Sequence, residues 1–248
     1  MKISINTIDL KEKILKPLNR IVEDCILNIS ENKISSISTI DSGGIIIFVS
    51  RTIPASVSEP VDLNIKNINK LVSVLNCVTD KNVDMIIESN HIKYDSAGFK
   101  FKFHLTEDGV ITKPKIKREK LENISYNTSA NISINEFYSI LKSSSFLNGD
   151  SVRLYFYTKS ASEDRGVYCD ITNKNIANSD SITVKISDDF DGDPITGDLI
   201  CDVEHIRKLA VTKNSTLRMA FDSKVGYTIF DIIEENGTIR YVMPTLSK

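Results

Sequence analysis

The residues of this 248-residue chain best suited to chemistry are a run of aspartates at 188–193 (DDFDGD), three histidines, four cysteines and the lysines of several helix-like stretches. Asp189, Asp191 and Asp193 alternate as the first ligands of a calcium loop do, but such a loop needs a glutamate at its twelfth position, where this chain has Ile200. The run therefore reads as a solvated β-turn with Gly192 at the strained dihedral. His91, His104 and His205 have no serine, cysteine or carboxylate neighbour in a catalytic spacing, and the ten scattered glycines form no phosphate-cradling loop. Cys25, Cys77, Cys169 and Cys201 lie far apart, without a Cys-x-x-Cys pair, and read as buried thiols in a reducing compartment. These residues point to no enzyme, no cofactor and no metal.

The lysines carry more. A net charge of -2 and a pI near 6.0 exclude nucleic-acid binding by bulk positive charge, so any such contact requires basic residues gathered on one face. At about 100° per residue over 7–22, Leu10, Ile14, Leu18 and Ile21 share one side of a helix, with Lys13, Lys16 and Arg20 on the other. Pro17 should bend or shorten that helix. A second helix is expected over 64–78, with Ile65, Ile68, Leu71, Val72 and Leu75 inward and Lys66 and Lys70 outward. A third, over 134–146, turns Phe137, Ile140 and Leu141 inward and offers only Lys142. A fourth follows Asp202 with Val203, Ile206, Leu209 and Ala210 inside and Arg207, Lys208 and Lys213 exposed.

Strands fill the intervals. Alternation or dense β-branching marks 1–5, 24–29, 33–41, 45–51, 83–89, 91–96, 99–105, 151–159, 166–173, 181–187, 216–222, 227–234 and 238–243, with Ser42-Gly43-Gly44 joining two of them. In 99–105, Phe99, Phe101 and Phe103 alternate with Lys100, Lys102 and His104, as on a half-buried edge strand that resists unwanted pairing or awaits a chosen partner. Apolar residues make up 41% and charged residues 26%, enough to build cores. Residues 112–128 are dense in charge, open on Lys-Pro and read as a connector. The segments on either side repeat one order of helix, strands, helix and strands. The organisation is thus two similar domains, 1–111 and 129–248, joined by 112–128. The N-terminus lacks the apolar core of a signal peptide, and no run approaches the ~20 apolar residues of a membrane span. An intracellular protein without a membrane partner is expected.

Several stretches resemble the eukaryotic sliding clamp, proliferating cell nuclear antigen. They are the lysine-bearing helix and Cys-containing strand of 3–51 with "TIDSGGIIIFVSR", the "ENISYNTSANISINEF" entry to the second domain, and the closing "GTIRYVMPTL". The acidic turn is more like the clamps of T4-type bacteriophages. The resemblance implies an α+β clamp fold whose subunits close into a homotrimeric ring, with helices lining a hole for double-stranded DNA and antiparallel sheets outside. It further implies a processivity factor that tethers DNA polymerase and is placed on DNA by a clamp loader ATPase. Lys13, Lys16, Arg20, Lys66, Lys70, Lys142, Arg207, Lys208 and Lys213 become the DNA-facing residues. Subunits would pair through 99–105 (Phe99, Phe101, Phe103, Leu105) and 167–174 (Tyr168, Asp170, Thr172). A pocket for partner peptides would comprise Ile40, Ile45, Ile47, Leu121, Tyr126, Tyr241, Met243 and Pro244. Two other readings stay open: a monomeric clamp-fold polymerase accessory protein, and a β-rich viral structural protein with no DNA role.

Overall fold

A computed structural model describes residues 1–40, 44–147, 152–176, 178–195, 197, 199–222 and 225–246. The Ser42-Gly43 turn and the expected strand ends at Asp41 and Ser151 lie outside the described residues. The chain forms two compact units. The first is Met1–Glu122 with Glu235–Ile239, and the second is Asn123–Glu234 with Arg240–Lys248.

In the first unit, β1 (Lys2–Asn6) leads into a π-helical segment, Asp9–Leu15, and a short α1 (Lys16–Asn19). Strands β2 (Cys25–Ser30), β3 (Lys33–Thr39), β4 (Ile46–Arg51), β5 (Ala55–Ser56) and β6 (Val61–Ile65) follow. Helix α2 (Ile68–Leu75), strands β7 (Asn82–Glu88), β8 (His91–Asp95) and β9 (Lys100–His104), and α3 (Arg118–Glu122) complete it. The second unit runs through β10 (Thr128–Ile132), α4 (Ile134–Ser144), β11 (Arg153–Lys159), β12 (Gly166–Thr172), β13 (Ser181–Ser187), β14 (Asp191–Gly192), β15 (Leu199–Asp202), α5 (Val203–Arg207), β16 (Thr216–Asp222), β17 (Tyr227–Glu234) and β18 (Gly237–Pro244).

The two orders are one order repeated. In the first unit the sheets are β5-β1-β7-β8-β9 and β4-β3-β2-β6; in the second they are β14-β10-β16-β17-β18 and β13-β12-β11-β15. Each strand of one unit has a counterpart at the same place in the other. All pairings with a defined register are antiparallel, so each strand alternates a core-facing and an outward set of side chains.

Several elements depart from the sequence expectation. The first helix is not a bent α-helix. Its π-wound turns end where the Lys16 N–H donates to the Lys11 carbonyl, and buried Pro17 then enters the first turn of α1, where its missing N–H is not needed. Asn64 does not open the second helix, because Asn64 and Ile65 are buried in β6 opposite Ile26 and Cys25. Asn67 instead takes a left-handed conformation (φ 67°), and its side chain accepts the Lys70 N–H at 2.8 Å. The connector contains α3, held by Arg118 and Glu122 at 2.7 Å one turn apart and anchored by fully buried Leu121. The acidic run contributes β14, which pairs with Thr128 and Ser129.

Candidate nucleic-acid and partner interfaces

The helical elements turn apolar faces inward. Leu10, Ile14, Leu15 and Leu18 are buried in the first, Ile68, Leu71 and Leu75 in α2, Phe137 and Ile140 in α4, and Val203 and Ile206 in α5. The basic residues left outward differ in their surroundings. Lys13 Nζ lies 2.8 Å from Asp9 and Lys16 Nζ 2.8 Å from Glu12, each one turn apart. Arg207 pairs with Glu204 at 2.5 Å and donates to the Ser144 hydroxyl at 3.2 Å, tying α5 to α4. Arg20 is exposed. Lys66, Lys70, Lys142 and Lys213 are exposed or half-exposed and Lys208 is half-buried, and none of these five forms an ion pair among the described residues. Lys66 precedes α2 and Lys213 follows α5, so only Lys70 and Lys142 of the five stand on helices.

The two stretches expected at a subunit interface lie on β9 and β12. Strand β9 ends the five-stranded sheet of the first unit, pairing only with β8. Its outward side chains are Lys100, Lys102 and His104; Phe103 is buried, whereas Phe101 and the preceding Phe99 remain half-exposed beside Tyr94. Leu105 lies just beyond it, its N–H bonded to the Asn90 carbonyl at 2.9 Å. Tyr168, Asp170 and Thr172 are not on an edge. They lie on β12, whose two sides are occupied by β11 and β13, so no backbone donors or acceptors remain there for another chain. The sheet ends beside β12 at β13, and at its other side at β15; on β13 Ser181, Thr183 and Lys185 are exposed and Ile182 and Val184 half-exposed.

The expected pocket residues divide by strand parity. Ile45, Ile47, Leu121, Tyr241 and Met243 are at most 1% exposed and lie in the cores. The Tyr241 hydroxyl accepts the Ala210 N–H at 3.2 Å, just beyond α5. Ile40 is half-buried, Tyr126 is stacked by the Arg218 guanidinium at 4.8 Å, and Pro244 is exposed. On β4 the side chains facing away from the core are Ile46 and Phe48, with Arg118 of α3 5.7 Å over the Phe48 ring. They share a face with Ile37 and Thr39, their register partners on β3. On that face, wholly within the first unit, Val110–Pro114 closes a groove of about 170 Å³ against Val22, Asp24, Ile26, Ile37 and Thr39. The groove has no sequence signature, because the stretches that line it, 22–26, 37–39 and 110–114, are far apart along the chain.

The chemistry-bearing residues have local duties. Asp189 takes a hydrogen bond from Arg165, which holds its carboxyl below the usual range, and Asp188 pairs with Lys185 at 3.0 Å. Buried His91 sits opposite His104 with ring centroids 5.8 Å apart; burial and then the Lys102 charge depress its pKa, against the opposing pull of Glu88 at 2.9 Å. Burial raises the thiol pKa of Cys25, Cys169 and Cys201, the last to about 12. No helix among the described residues is long and apolar enough to cross a membrane.

No family model and no curated protein sequence matches the chain. Solved structures do. A. fulgidus PCNA bound to the C-terminal region of FEN-1 superposes with a TM-score of 0.78 at 12% identity, covering 100% of this chain and 98% of that one. A candidate DNA polymerase III beta subunit from Eubacterium rectale gives 0.73 at 14% identity, covering 100% of this chain and 66% of the other. The PCNA2–PCNA3 complex of Sulfolobus tokodaii gives 0.70 at 14% identity with both chains fully covered. The chain has the PCNA-like sliding-clamp fold.

Proposed function

We propose that the chain is a non-enzymatic sliding clamp that closes into a homotrimeric ring around duplex DNA, tethers DNA polymerase and other replication proteins, and is placed on DNA by a clamp loader ATPase. The observation that carries this reading is the clamp fold, built of two units with one strand order, in which β9 and β13 are among the strands that end their sheets. Head-to-tail addition of β9 of one copy to β13 of the next satisfies both edges and brings half-exposed Phe99 and Phe101 against Ile182 and Val184. Lys13, Lys16, Arg20, Lys66, Lys70, Lys142, Arg207, Lys208 and Lys213 belong to the stretches proposed to face DNA, in an otherwise slightly acidic protein, and those not ion-paired to a neighbouring carboxylate supply most of the positive charge. Contact of that kind is independent of base sequence and sensitive to salt. Partner peptides dock in the groove under Val110–Pro114 of the first unit, with Ile40, next to Thr39 of its lining, as a further contact. The FEN-1 segment bound to A. fulgidus PCNA supports peptide docking as the mode.

One observation favours a second reading, a monomeric clamp-fold accessory protein: every outward side chain of β9 is a lysine or histidine, the pattern that discourages strand pairing. Light scattering across a concentration series separates the two. A mass of three chains, reduced to one by Phe101→Lys without loss of folding, is expected of the ring; a persistent single-chain mass overturns it.

A further inference from the structure

We infer that Lys66 and Lys70 carry the phosphate contact of the first unit, while Asp9 and Glu12 hold Lys13 and Lys16 out of it; this rests on the DNA-clamp reading above. The four lysines look equivalent in sequence, but their surroundings differ. Lys13 and Lys16 each lie 2.8 Å from a carboxylate one turn back in the same continuous helical stretch, and Lys11 is 3.8 Å from that of Glu12. Those carboxylates are fixed to the stretch that bears the lysines. A phosphate drawn to Lys13 or Lys16 therefore meets an acid within the same few ångströms, and the approach gains little net charge. Lys66 and Lys70 stand in the opposite situation. Both are exposed, neither is paired among the described residues, and the stretch from Lys66 to Thr79 contains no aspartate or glutamate. The Asn67 side chain accepting the Lys70 N–H fixes the chain between the two lysines. Each cation there is available to displace condensed counterions from DNA.

Counterion release makes this measurable, because the salt slope of log K changes by about 0.9 for each duplex phosphate that a protein neutralises. Anisotropy of a labelled linear duplex is followed across a salt series for the full chain and three double variants. Lys66→Gln with Lys70→Gln is expected to flatten the slope by about 1.8 per bound subunit, two phosphates at about 0.9 each. Lys13→Gln with Lys16→Gln leaves the slope within about 0.9 of the unaltered protein's. Asp9→Asn with Glu12→Gln, which frees the paired lysines, tightens binding several-fold at low salt and steepens the slope. Equal flattening by the two lysine variants, or no tightening by the acid variant, overturns the inference while leaving the clamp reading in place. Failure of the unaltered protein to bind duplex at low salt overturns the clamp reading and the inference together.

Discussion

On β4 the structure assigns opposite fates to neighbouring isoleucines, and alanine at each position tests the assignment. Ile47 is fully buried, with its side chain in the core of the first unit. Ile47→Ala removes three buried carbons from a site walled by strand neighbours, so the loss includes both transfer and cavity contributions, about 2–5 kcal/mol. At roughly 2–4 °C per kcal/mol for a chain of this size, the melting midpoint should fall by about 4–20 °C. Ile46 is half-buried on the opposite face, across from Thr39. Its truncation forfeits about half of a full side-chain burial, or about 1 kcal/mol, and should move the midpoint by only a few degrees. Calorimetry with a parallel urea titration reads both. The proposed docking groove adds a second axis: Ile37→Ala and Val110→Ala, both in its lining, should weaken a bound partner peptide, whereas a milder Ile47→Val should leave its affinity unchanged. Equal destabilisation by the two alanine variants, or a larger loss from Ile46→Ala, would refute the assigned parity.

Asp231 is 5% exposed and receives two hydrogen bonds from Arg240, at 2.6 and 2.8 Å; Asp231→Ala removes both acceptors and the negative charge of this mostly buried pair and should cost about 3–5 kcal/mol in a urea titration. The depressed pKa of His91 means that the unfolded chain binds the proton more readily, so its contribution is complete above the unfolded value near ~6.5 and is lost as pH falls through the lower folded value. His91→Gln should flatten the stability profile on the acid side of neutrality; an unchanged slope would show that His91 does not carry it. Cys77 is exposed while Cys25, Cys169 and Cys201 are buried. A thiol reagent should therefore modify one cysteine per chain quickly and the other three only on unfolding, and fast modification of two would contradict the packing of a core.

The fold was legible wherever a segment had one wet face. The alternation of Phe and Lys in 99–105 marked β9, and the 3.6-residue spacing around Phe137 and Ile140 marked α4, because in both cases one set of side chains meets water. It was illegible where both faces are covered or where a local bond overrides propensity. The run Ile45–Val49 is apolar throughout because one face forms the core while Phe48, on the other, lies under Arg118, so parity could not be read from hydrophobicity. The start of α2 is obscured by the similar capping character of Asn64 and Asn67; pairing of Ile65 with Cys25, a long-range contact, decides between them. The π-wound turn before Pro17 has no hydropathy signature, although the proline marked where the winding had to change. Ion pairing of Lys13 and Lys16 was, by contrast, available from the spacing of Asp9 and Glu12 one turn away.

The choice between β12 and β13 as the second assembly edge follows from the same physics. An inner strand of a sheet covered on both faces buries nearly every side chain, as β12 does from Gly166 to Thr172. An edge strand leaves its outward residues wet and its inward ones half covered, and β13 alternates exposed Ser181, Thr183 and Lys185 with half-exposed Ile182 and Val184. The clamp resemblance implied Tyr168 of β12 as an interface residue, yet Tyr168 is buried against Tyr157, with Lys159 4.5 Å over its ring. A charge at each position therefore has a different consequence. Val184→Lys should lower the associated mass toward a single chain while the melting midpoint changes by only a few degrees. Tyr168→Lys should unfold the second unit, because it puts an ammonium between Lys159 and Lys185 in place of the aromatic ring that both of them face. If Val184→Lys leaves a three-chain mass intact, β13 is not the mating edge, and the ring must close through another surface.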